Sequence, residues 1–324
     1  MRQQRTYLMS PPSRYWRAEG NAYAKAAKAR GGSNPRAALL EWIKVADLLT
    51  RYGAQIVVIP PGPREVFDMV YVADIGRWFE GGFFFANFAA EHRKNETNYA
   101  HEIFKQLGLP ILGQAEHKWE GSSCVRISPN RTTAFLGYGV RAGRESCQEI
   151  AGLLDANVTP LYIQMKEPHI HLDTLLACLY ERETKIVLVC RSAFADKDEN
   201  GWNPHEAWGL LWEACEAEGT KVISVSKADG ALYATNVRQE PNGRIFAAEG
   251  LSKSHIKQLR EYDYKVHSLS LPCLFRDGGG ASACLTNHIS RAVDDGWVPP
   301  DRFLYEAWRP KIMRWVDKYP EHEI

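Results

Sequence analysis

A unit of two predicted strands, a helix and a further strand recurs along most of this sequence, and it limits the possible folds more than any other feature. The order is predicted over 123–165, and it follows again over 174–225 and over 231–269, the last unit beginning with a strand at 231–237. A period of about 50 to 60 residues is typical of small units repeated around a centre, and it argues against one open sheet. We therefore predict an α/β fold built from repeated ββαβ units.

The N-terminal part of the chain contains similar elements. In order, these are a strand at 6–9, a helix over 36–52, strands at 55–59, 69–73 and 82–88, and a helix over 98–107 that ends at Gly108. The segment 21–36 is polar, and its glycines and proline predict a loop at 31–35. From Arg291 the sequence changes to paired prolines and a tryptophan-rich helix near 305–316. We therefore predict one α/β domain over 1–290 and a helical extension over 291–324 that packs on it.

Composition and charge narrow the classes of function. The 324 residues are 45% hydrophobic and 24% charged, as in soluble globular proteins. With 40 Lys and Arg against 39 Asp and Glu, the net charge of +1 favours neither nucleic acid nor an anionic membrane as a partner. The seven cysteines contain no Cys-x-x-Cys pair, which argues against a disulfide framework and a structural zinc site. Since the N-terminal stretch also lacks the apolar core of a secretory signal, we predict a cytoplasmic protein.

Cys284 follows three glycines in the sequence Asp277-Gly-Gly-Gly-Ala-Ser-Ala-Cys284. Glycine permits a positive φ and a close approach of the backbone to another group, and the small residues after Gly280 suit a thiol presented on a tight turn. The simpler interpretation is a small buried hydrophobic residue, as isolated cysteines usually are. The rest of the chain favours a nucleophile, because it also supplies a histidine and several carboxylates.

Three further polar clusters lie beside predicted strands: Asp68-Met-Val-Tyr-Val-Ala-Asp74, Glu120-Gly121 and His171-Leu-Asp173. In a strand, His171 and Asp173 would point to the same face, because residues two apart do so. Carboxylates beside a histidine are costly to bury unless a cation lies between them, and a planar guanidinium matches carboxylates well. Taken singly, each cluster is better explained by a solvated turn or a core histidine. Taken with Cys284, the clusters favour a guanidinium site.

These residues resemble those of the guanidine-modifying enzymes of the pentein superfamily. That group includes dimethylarginine dimethylaminohydrolases, arginine deiminases, arginine dihydrolases and amidinotransferases. The resemblance extends from Tyr7 to about Ile289 and rests on six motifs in the family's order: Asp68-Met-Val-Tyr-Val-Ala-Asp74, Trp119-Glu-Gly121, Gly137-Tyr-Gly-Val-Arg141, His171-Leu-Asp-Thr174, Tyr233-Ala-Thr-Asn-Val237 and Gly278-Gly-Gly-Ala-Ser-Ala-Cys-Leu-Thr286. It implies an α/β propeller of five ββαβ modules with pseudo-fivefold symmetry and a site in the central channel.

The resemblance also implies a role for each matching residue. Cys284 resembles the nucleophile that attacks the guanidinium carbon, His171 the general acid and base, and Glu120 the carboxylate beside that histidine. The residues that resemble substrate-binding groups are Asp74 and Asp173 for the guanidinium nitrogens, Arg141 for the substrate's carboxylate, Asp68, and Asn21, whose spacing is shifted. Neither a metal nor an organic cofactor is implied. The implied partner is a small guanidino substrate, and whether the chain forms a homodimer stays open.

The sequence departs from the family pattern at several positions. Ser123 and Cys124 stand where the Glu-Gly-x-Gly-Asp motif has its second glycine and its aspartate, and Asn87 stands where an arginine commonly binds the substrate's carboxylate. By contrast, Asp74 is the residue that the resemblance leads us to expect for a single C–N cleavage or an amidino transfer, since the dihydrolases have asparagine there. The remaining candidates, His117, His169 and Cys178, are predicted to be structural.

The prediction that follows is an amidine hydrolase acting on arginine or an N-substituted guanidine through a covalent thiouronium intermediate. Two alternatives stay open. An amidinotransferase would pass the amidino group to an acceptor amine. A pentein fold used only for binding would fit the departures at Cys124 and Asn87.

Overall fold

The computed structural model of the chain describes residues 5–198 and 201–321. Residues 1–4 of the N-terminal stretch and 322–324 of the predicted extension therefore lie outside the described residues. The described chain forms two compact units. The first contains the residues up to Gln114 and those from Ser270 onward, and the second runs from Ala115 to Leu269.

The first unit contains two three-stranded sheets, with the strand orders β15-β1-β2 and β3-β4-β5. In each sheet the first pair is antiparallel and the second pair is parallel. The strands are β1 (Thr6–Met9), β2 (Gln55–Val58), β3 (Gly76–Phe79), β4 (Gly82–Phe85), β5 (Ile111–Gln114) and β15 (Asn287–His288). The helices are α1 (Ala22–Ala29), α2 (Pro35–Arg51), α3 (Lys94–Leu107), α8 (Ser290–Asp294) and α9 (Tyr305–Trp315).

The second unit contains three sheets of the same size, ordered β6-β7-β8, β9-β10-β11 and β12-β13-β14. The strands are β6 (Val125–Ile127), β7 (Thr133–Tyr138), β8 (Thr159–Gln164), β9 (Leu176–Leu179), β10 (Ile186–Val189), β11 (Lys221–Ser224), β12 (Arg238–Glu240), β13 (Arg244–Ala248) and β14 (Lys265–Leu269). The helices are α4 (Arg144–Ala151), α5 (Pro204–Ala217), α6 (Lys227–Ala231) and α7 (Lys253–Glu261).

Each of these five sheets has one plan: an antiparallel pair, then a parallel strand reached through at least one helix. The predicted ββαβ repeat is therefore confirmed. One copy joins two distant parts of the chain, because Tyr7 of β1 lies opposite Ile56 of β2 on one side and His288 of β15 on the other. The sequence analysis did not predict β15, whose two residues are too few to show a pattern.

Each unit has its own hydrophobic core. In the first, the rings of Phe83, Phe85 and Phe104 meet with centroids 4.5 to 5.0 Å apart. In the second, all four residues of β10 are fully buried between β9 and β11. A continuous apolar run in a central strand is expected when both faces of its sheet are covered.

Local signals set the helix ends. Asn34 Oδ1 accepts a hydrogen bond from the Ala37 amide at 2.8 Å, and Pro35 occupies the first turn, which begins α2. Gly108 ends α3 with a left-handed φ of 67°. The predicted helices 36–52 and 98–107 are confirmed, although α3 begins earlier, at Lys94.

Two predicted strands are wrong. Residues 69–73 form a turn and the start of a 3-10 helix, Val72–Ile75. Residues 231–237 begin at the last residue of α6 and continue in a turn where Tyr233 has a φ of 52°. In the first segment the apolar residues are buried, but a side chain satisfies the backbone: Asn287 Nδ2 donates to the carbonyls of Val72 at 3.0 Å and Gly76 at 2.8 Å. The continuous apolar run 69–73 thus marked burial rather than a sheet.

The chain after β15 packs on the first unit. Leu304 forms an isolated antiparallel bridge with Val57 of β2, and the Asp47 carboxylate of α2 accepts hydrogen bonds from the Tyr305 hydroxyl and from Arg309 Nε, both at 2.8 Å. The predicted helix 305–316 is confirmed, whereas the boundary between a domain ending at 290 and an extension stays a prediction. Among the helices of the described residues, none combines the length and the apolar character needed to cross a bilayer.

Candidate active site

Cys284 lies in a buried turn that follows the glycine run and is 3% exposed. Of the three glycines, Gly279 has a positive φ, of 81°. The other two glycines provide space. A Cβ at Gly278 would overlap the Tyr71 hydroxyl, and one at Gly280 would overlap the Tyr71 ring. Tyr71 therefore packs directly against the backbone that leads to Cys284.

Asp74 is tied to the Cys284 turn through the backbone. It lies in the 3-10 helix Val72–Ile75 and is 2% exposed. The neighbouring Ala73 amide donates a hydrogen bond to the Cys284 carbonyl at 3.2 Å. The first unit therefore brings the predicted nucleophile and one predicted guanidinium-binding carboxylate onto adjacent backbone segments.

Arg93 is the partner of Asp74, and the sequence analysis missed it. Its Nη1 pairs with Asp74 Oδ2, while Nε and Nη2 reach the two oxygens of Glu96 at 3.0 and 2.7 Å. The guanidinium also lies over the Phe88 ring, 4.6 Å from its centroid. Burial lowers the pKa of Arg93, but Glu96 and Asp74 oppose it and hold that pKa well above its usual value. The Arg93 guanidinium is therefore a cation between two buried acids, Asp74 and Glu96.

Asn21 and Asp68 also lie in the first unit. The polar segment 21–36 contains α1, which Asn21 caps by accepting from the Ala24 amide at 2.8 Å, and the predicted loop 31–35 connects α1 to α2, which begins at Pro35. Asn21 Nδ2 donates to the Gly278 carbonyl at 2.8 Å, which joins α1 to the glycine run. Asp68 is 4% exposed, and its Oδ2 lies 3.5 Å from His92 Nε2.

In the second unit, His171 and Glu120 form a buried pair. His171 Nε2 lies 2.7 Å from Glu120 Oε2, and the two residues are 4% and 0% exposed. Arg141 Nη1 donates to the other oxygen of Glu120 at 3.2 Å. Gly121, with a left-handed φ of 60°, turns the chain directly after Glu120. Arg141, assigned to the substrate's carboxylate, therefore contacts the carboxylate that orients the histidine.

Asp173 is close in sequence to His171, but the strand expected for both is wrong. His171 precedes a 3-10 helix, Leu172–Thr174, and β9 begins only at Leu176. Asp173 is fully buried, and its Oδ2 lies 3.3 Å from Arg126 Nη2. Arg126 also donates through Nη1 to the carbonyls of Ser122 at 2.6 Å and Val125 at 2.9 Å. Arg126 is thus a second arginine that the sequence analysis missed.

The departures from the family pattern lie at defined places. Ser123 and Cys124 are buried in a 3-10 helix, Gly121–Cys124, that follows Glu120 directly. Asn87 is half-buried just after β4. His169 Nδ1 lies 3.1 Å from both oxygens of Thr174, and burial lowers the pKa of this histidine, as suits the structural role predicted for it.

The predicted site residues thus fall into two groups. Cys284, Asp74, Asp68 and Asn21 are held near one another in the first unit, through the segments 68–74 and 278–284. His171, Glu120 and Arg141 form one chain of contacts in the second unit, and Asp173 lies beside Arg126. The sequence analysis did not connect Arg93 or Arg126 with the site, because the predicted site residues that they contact, Asp74 and Asp173, come from other segments of the chain.

Comparison with known proteins identifies the family. Residues 13–291 match the family model described as N,N dimethylarginine dimethylhydrolase, eukaryotic. This chain belongs to that family. The dimethylarginine dimethylhydrolase family is part of the pentein guanidine-modifying superfamily, so the resemblance seen in the sequence is confirmed. A comparison with curated proteins found no match.

Solved structures show the same fold. Unliganded AgrE has a TM-score of 0.75 and 20% identity, over 88% of this chain and 39% of AgrE. The N-terminal domain of ArgZ bound to product, from a cyanobacterial arginine dihydrolase, has a TM-score of 0.74 and 23% identity, over 88% of this chain and 97% of that domain. An adduct of dimethylarginine dimethylaminohydrolase with 4-chloro-2-hydroxymethylpyridine has a TM-score of 0.64 and 16% identity, over 88% of this chain and 100% of that protein. The chain therefore spans about two fifths of AgrE's length.

These likenesses establish the fold of this dimethylarginine dimethylhydrolase family member. It is the α/β pentein fold, and the five three-stranded sheets correspond to its five ββαβ modules. The predicted fold class is confirmed.

Proposed function

We propose that the chain is a cysteine-dependent hydrolase that cleaves a C–N bond of a guanidino compound, with N-methylated arginine as the leading substrate and arginine as the alternative. The observation that carries the proposal is the buried contact of 2.7 Å between His171 and Glu120, in a chain that belongs to a family described by N,N-dimethylarginine hydrolysis. An imidazole held by a carboxylate can donate and accept a proton during a reaction.

In the proposed reaction, the Cys284 thiolate attacks the guanidinium carbon and forms a C–S bond. The tetrahedral adduct then breaks its bond to the substituted nitrogen, and protonated His171 gives that nitrogen a proton, so the amine leaves. An S-alkylthiouronium remains on the enzyme. Neutral His171 removes a proton from water as its oxygen attacks the same carbon, and the C–S bond breaks. The hydroxyl proton that remains on the released product passes to solvent, which leaves the neutral ureido group and the Cys284 thiolate. This sequence requires His171 and Cys284 to act on one carbon atom.

The acidic residues would hold the substrate. Asp74 and Asp173 are each paired with an arginine, Arg93 and Arg126, which lowers the cost of keeping a buried carboxylate ionised. Ionised carboxylates are required if they are to accept hydrogen bonds from the guanidinium nitrogens. Glu120 would stabilise the imidazolium form of His171 through the contact that they share.

The test is turnover of a substrate panel. Purified protein is incubated with N,N-dimethylarginine, N-monomethylarginine, arginine and free guanidine, and both the ureido product and the released amine are measured. We expect methylated arginine to be cleaved with one amine released per ureido group, and Cys284→Ser to reduce kcat by at least about a thousandfold. Cys178→Ser, a half-buried cysteine in β9, is the matched control and should retain activity.

Two outcomes would count against the proposal. One is wild-type protein that cleaves none of the four compounds. The other is turnover that is equal in wild type and Cys284→Ser. An added acceptor amine such as glycine separates hydrolysis from amidino transfer, because a transferase would give a new guanidino product in place of the ureido compound.

A further inference from the structure

The turn before Cys284 is held by two side chains that the proposed reaction leaves unused. Glu41 of α2 is 5% exposed, and its oxygens accept hydrogen bonds from the amides of Cys273 at 2.9 Å and Leu274 at 2.8 Å. The Tyr71 hydroxyl donates to the Leu274 carbonyl at 2.8 Å. These residues fix the start of the π-helical turn Pro272–Asp277, from which the glycine run continues.

Tyr71 also contacts the far end of this segment. Its ring fills the space that a Cβ at Gly280 would need, and that Cβ would lie only 3.1 Å from Cys284 Cβ. The Gly280 amide donates to the Leu274 carbonyl at 3.1 Å, so this carbonyl receives both the glycine run and the Tyr71 hydroxyl. Tyr71 therefore acts on the position of Cys284 through packing and through one shared acceptor.

We infer that Tyr71 is a positioning residue for the Cys284 thiol, with Glu41 supporting the same turn through Leu274. The importance of this role for catalysis rests on the proposed function, whereas its effect on the thiol does not. Burial raises the pKa of Tyr71 well above 10, so its hydroxyl remains a donor throughout the ordinary pH range. Without that hydroxyl, the Leu274 carbonyl keeps the Gly280 amide but loses its second hydrogen-bond donor, so the turn is freer to move.

A tyrosine-to-phenylalanine pair tests this inference. Tyr71→Phe keeps the ring and removes the hydrogen bond. Tyr264→Phe, in the second unit, removes a similar hydroxyl contact to the Thr184 carbonyl at 3.4 Å and is the matched control. Alkylation by iodoacetamide is followed by mass spectrometry of the peptide that contains Cys284, and kcat and KM are measured on the substrate panel.

We expect a thiol that is more accessible but less well placed. In Tyr71→Phe, alkylation of Cys284 should be about fivefold faster than in wild type, while kcat falls about tenfold and KM stays within about twofold. Tyr264→Phe should change none of these quantities. A residue that only stabilised the fold would lower the melting temperature and speed the alkylation of Cys284 and of buried Cys147 alike, whereas a positioning residue speeds that of Cys284 alone.

The outcomes separate the positioning role of Tyr71 from the proposed hydrolase function. An alkylation rate for Tyr71→Phe within about threefold of wild type overturns the positioning role. If alkylation accelerates but wild type cleaves none of the compounds, the proposed function fails and the positioning role stands. If Tyr71→Phe does not fold, Glu41→Gln decides by the same criterion, because its amide group can accept from only one of the two backbone amides.

Discussion

The two units hold their predicted catalytic residues by different means. In the first, Cys284 is positioned by backbone hydrogen bonds and by glycines that admit the Tyr71 ring. In the second, His171 is positioned by charge, through Glu120 and behind it Arg141. The difference follows from the chemistry proposed for each group. A nucleophile must lie at a fixed point beside its target, whereas an acid-base group must also have its protonation controlled.

The first unit does not rely on backbone geometry alone. It also contains a buried ion network around Arg93, directly beside the backbone that holds Cys284. This network is the part of the first unit that most resembles the second. Substitutions in this network, at Glu120 and at Gly280 therefore test whether charge or backbone geometry contributes more to holding Cys284 and His171.

The largest effect is expected at Glu120, and the chain offers a matched pair. Glu120 contacts buried His171, and Glu149 contacts exposed His117, with Nδ1 and Oε2 3.4 Å apart. Glu120→Gln should reduce kcat for methylated arginine by about a hundredfold, because the imidazolium loses its counter-charge. Glu149→Gln should leave kcat unchanged. Steady-state kinetics of both variants provide the measurement, and equal kcat values would show that charge does not govern the second unit.

The next effect is one of stability. Arg93→Met leaves Asp74 and Glu96 buried without their cation, so the free energy of unfolding should fall by about 3 to 5 kcal/mol. Arg309→Met is the control, because Arg309 pairs with Asp47 at the surface, where such a pair contributes about 0 to 1 kcal/mol. Urea titrations of both variants measure the difference. If the two losses were alike, the network around Arg93 would be unimportant to the first unit.

A pH dependence should come from Glu96. Burial raises the pKa of this carboxyl group from 4.5 to about 7, against the lowering by Arg93. In the unfolded chain the group loses its proton near pH 4.5, while in the folded chain it keeps the proton up to about 7. Its contribution to stability is therefore fully present below pH 4.5 and is lost as the pH rises towards 7.

Glu96→Gln should remove this part of the pH profile. Between the two pKa values, the wild-type free energy of unfolding should fall by up to about 3 kcal/mol more than that of the variant. Glu102→Gln, on the exposed side of the same helix, is the control and should follow the wild-type profile. Denaturant melts across this pH range provide the test, and parallel profiles for wild type and Glu96→Gln would rule out the assignment.

The sequence predicted the parts of this molecule that depend on local pattern. The ββαβ repeat was visible because apolar periodicity and helix-end signals such as Gly108 act within a few residues. Segments 69–73 and 231–237 were assigned wrongly, because burial gives apolar residues to a turn as well as to a strand. Asn287 illustrates the reason, since it binds the Val72 carbonyl from 215 positions away.

For the site, the sequence predicted the motif residues but not the residues that hold them in place. The identities of Cys284, His171 and the acids came from motifs, and the structure gives each a defined set of contacts. Arg93 and Arg126 were missed because a charge argument states that buried acids need a cation but not which residue supplies it. Tyr71 lay inside a recognised motif, yet only the structure shows that its hydroxyl and its ring leave no space for a Cβ at Gly278 and at Gly280, respectively.

The smallest effect is expected at Gly280, where a substitution tests how the first unit holds the backbone before Cys284. Gly280→Ala places a Cβ against the Tyr71 ring and should lower the free energy of unfolding by about 1 to 3 kcal/mol. Gly209→Ala is the matched control: it lies in α5 with open space around it, and alanine favours a helix there by up to about 1 kcal/mol. Thermal and urea unfolding measure both.

Removing the ring makes this test sharper. If the cost at Gly280 comes from overlap with Tyr71, it should largely disappear when Gly280→Ala is made in a Tyr71→Ala background, so the two changes should be strongly non-additive. If the cost persists there, the restriction comes from the turn itself. In that case the glycine run would shape the path of the chain to Cys284 independently of its neighbour.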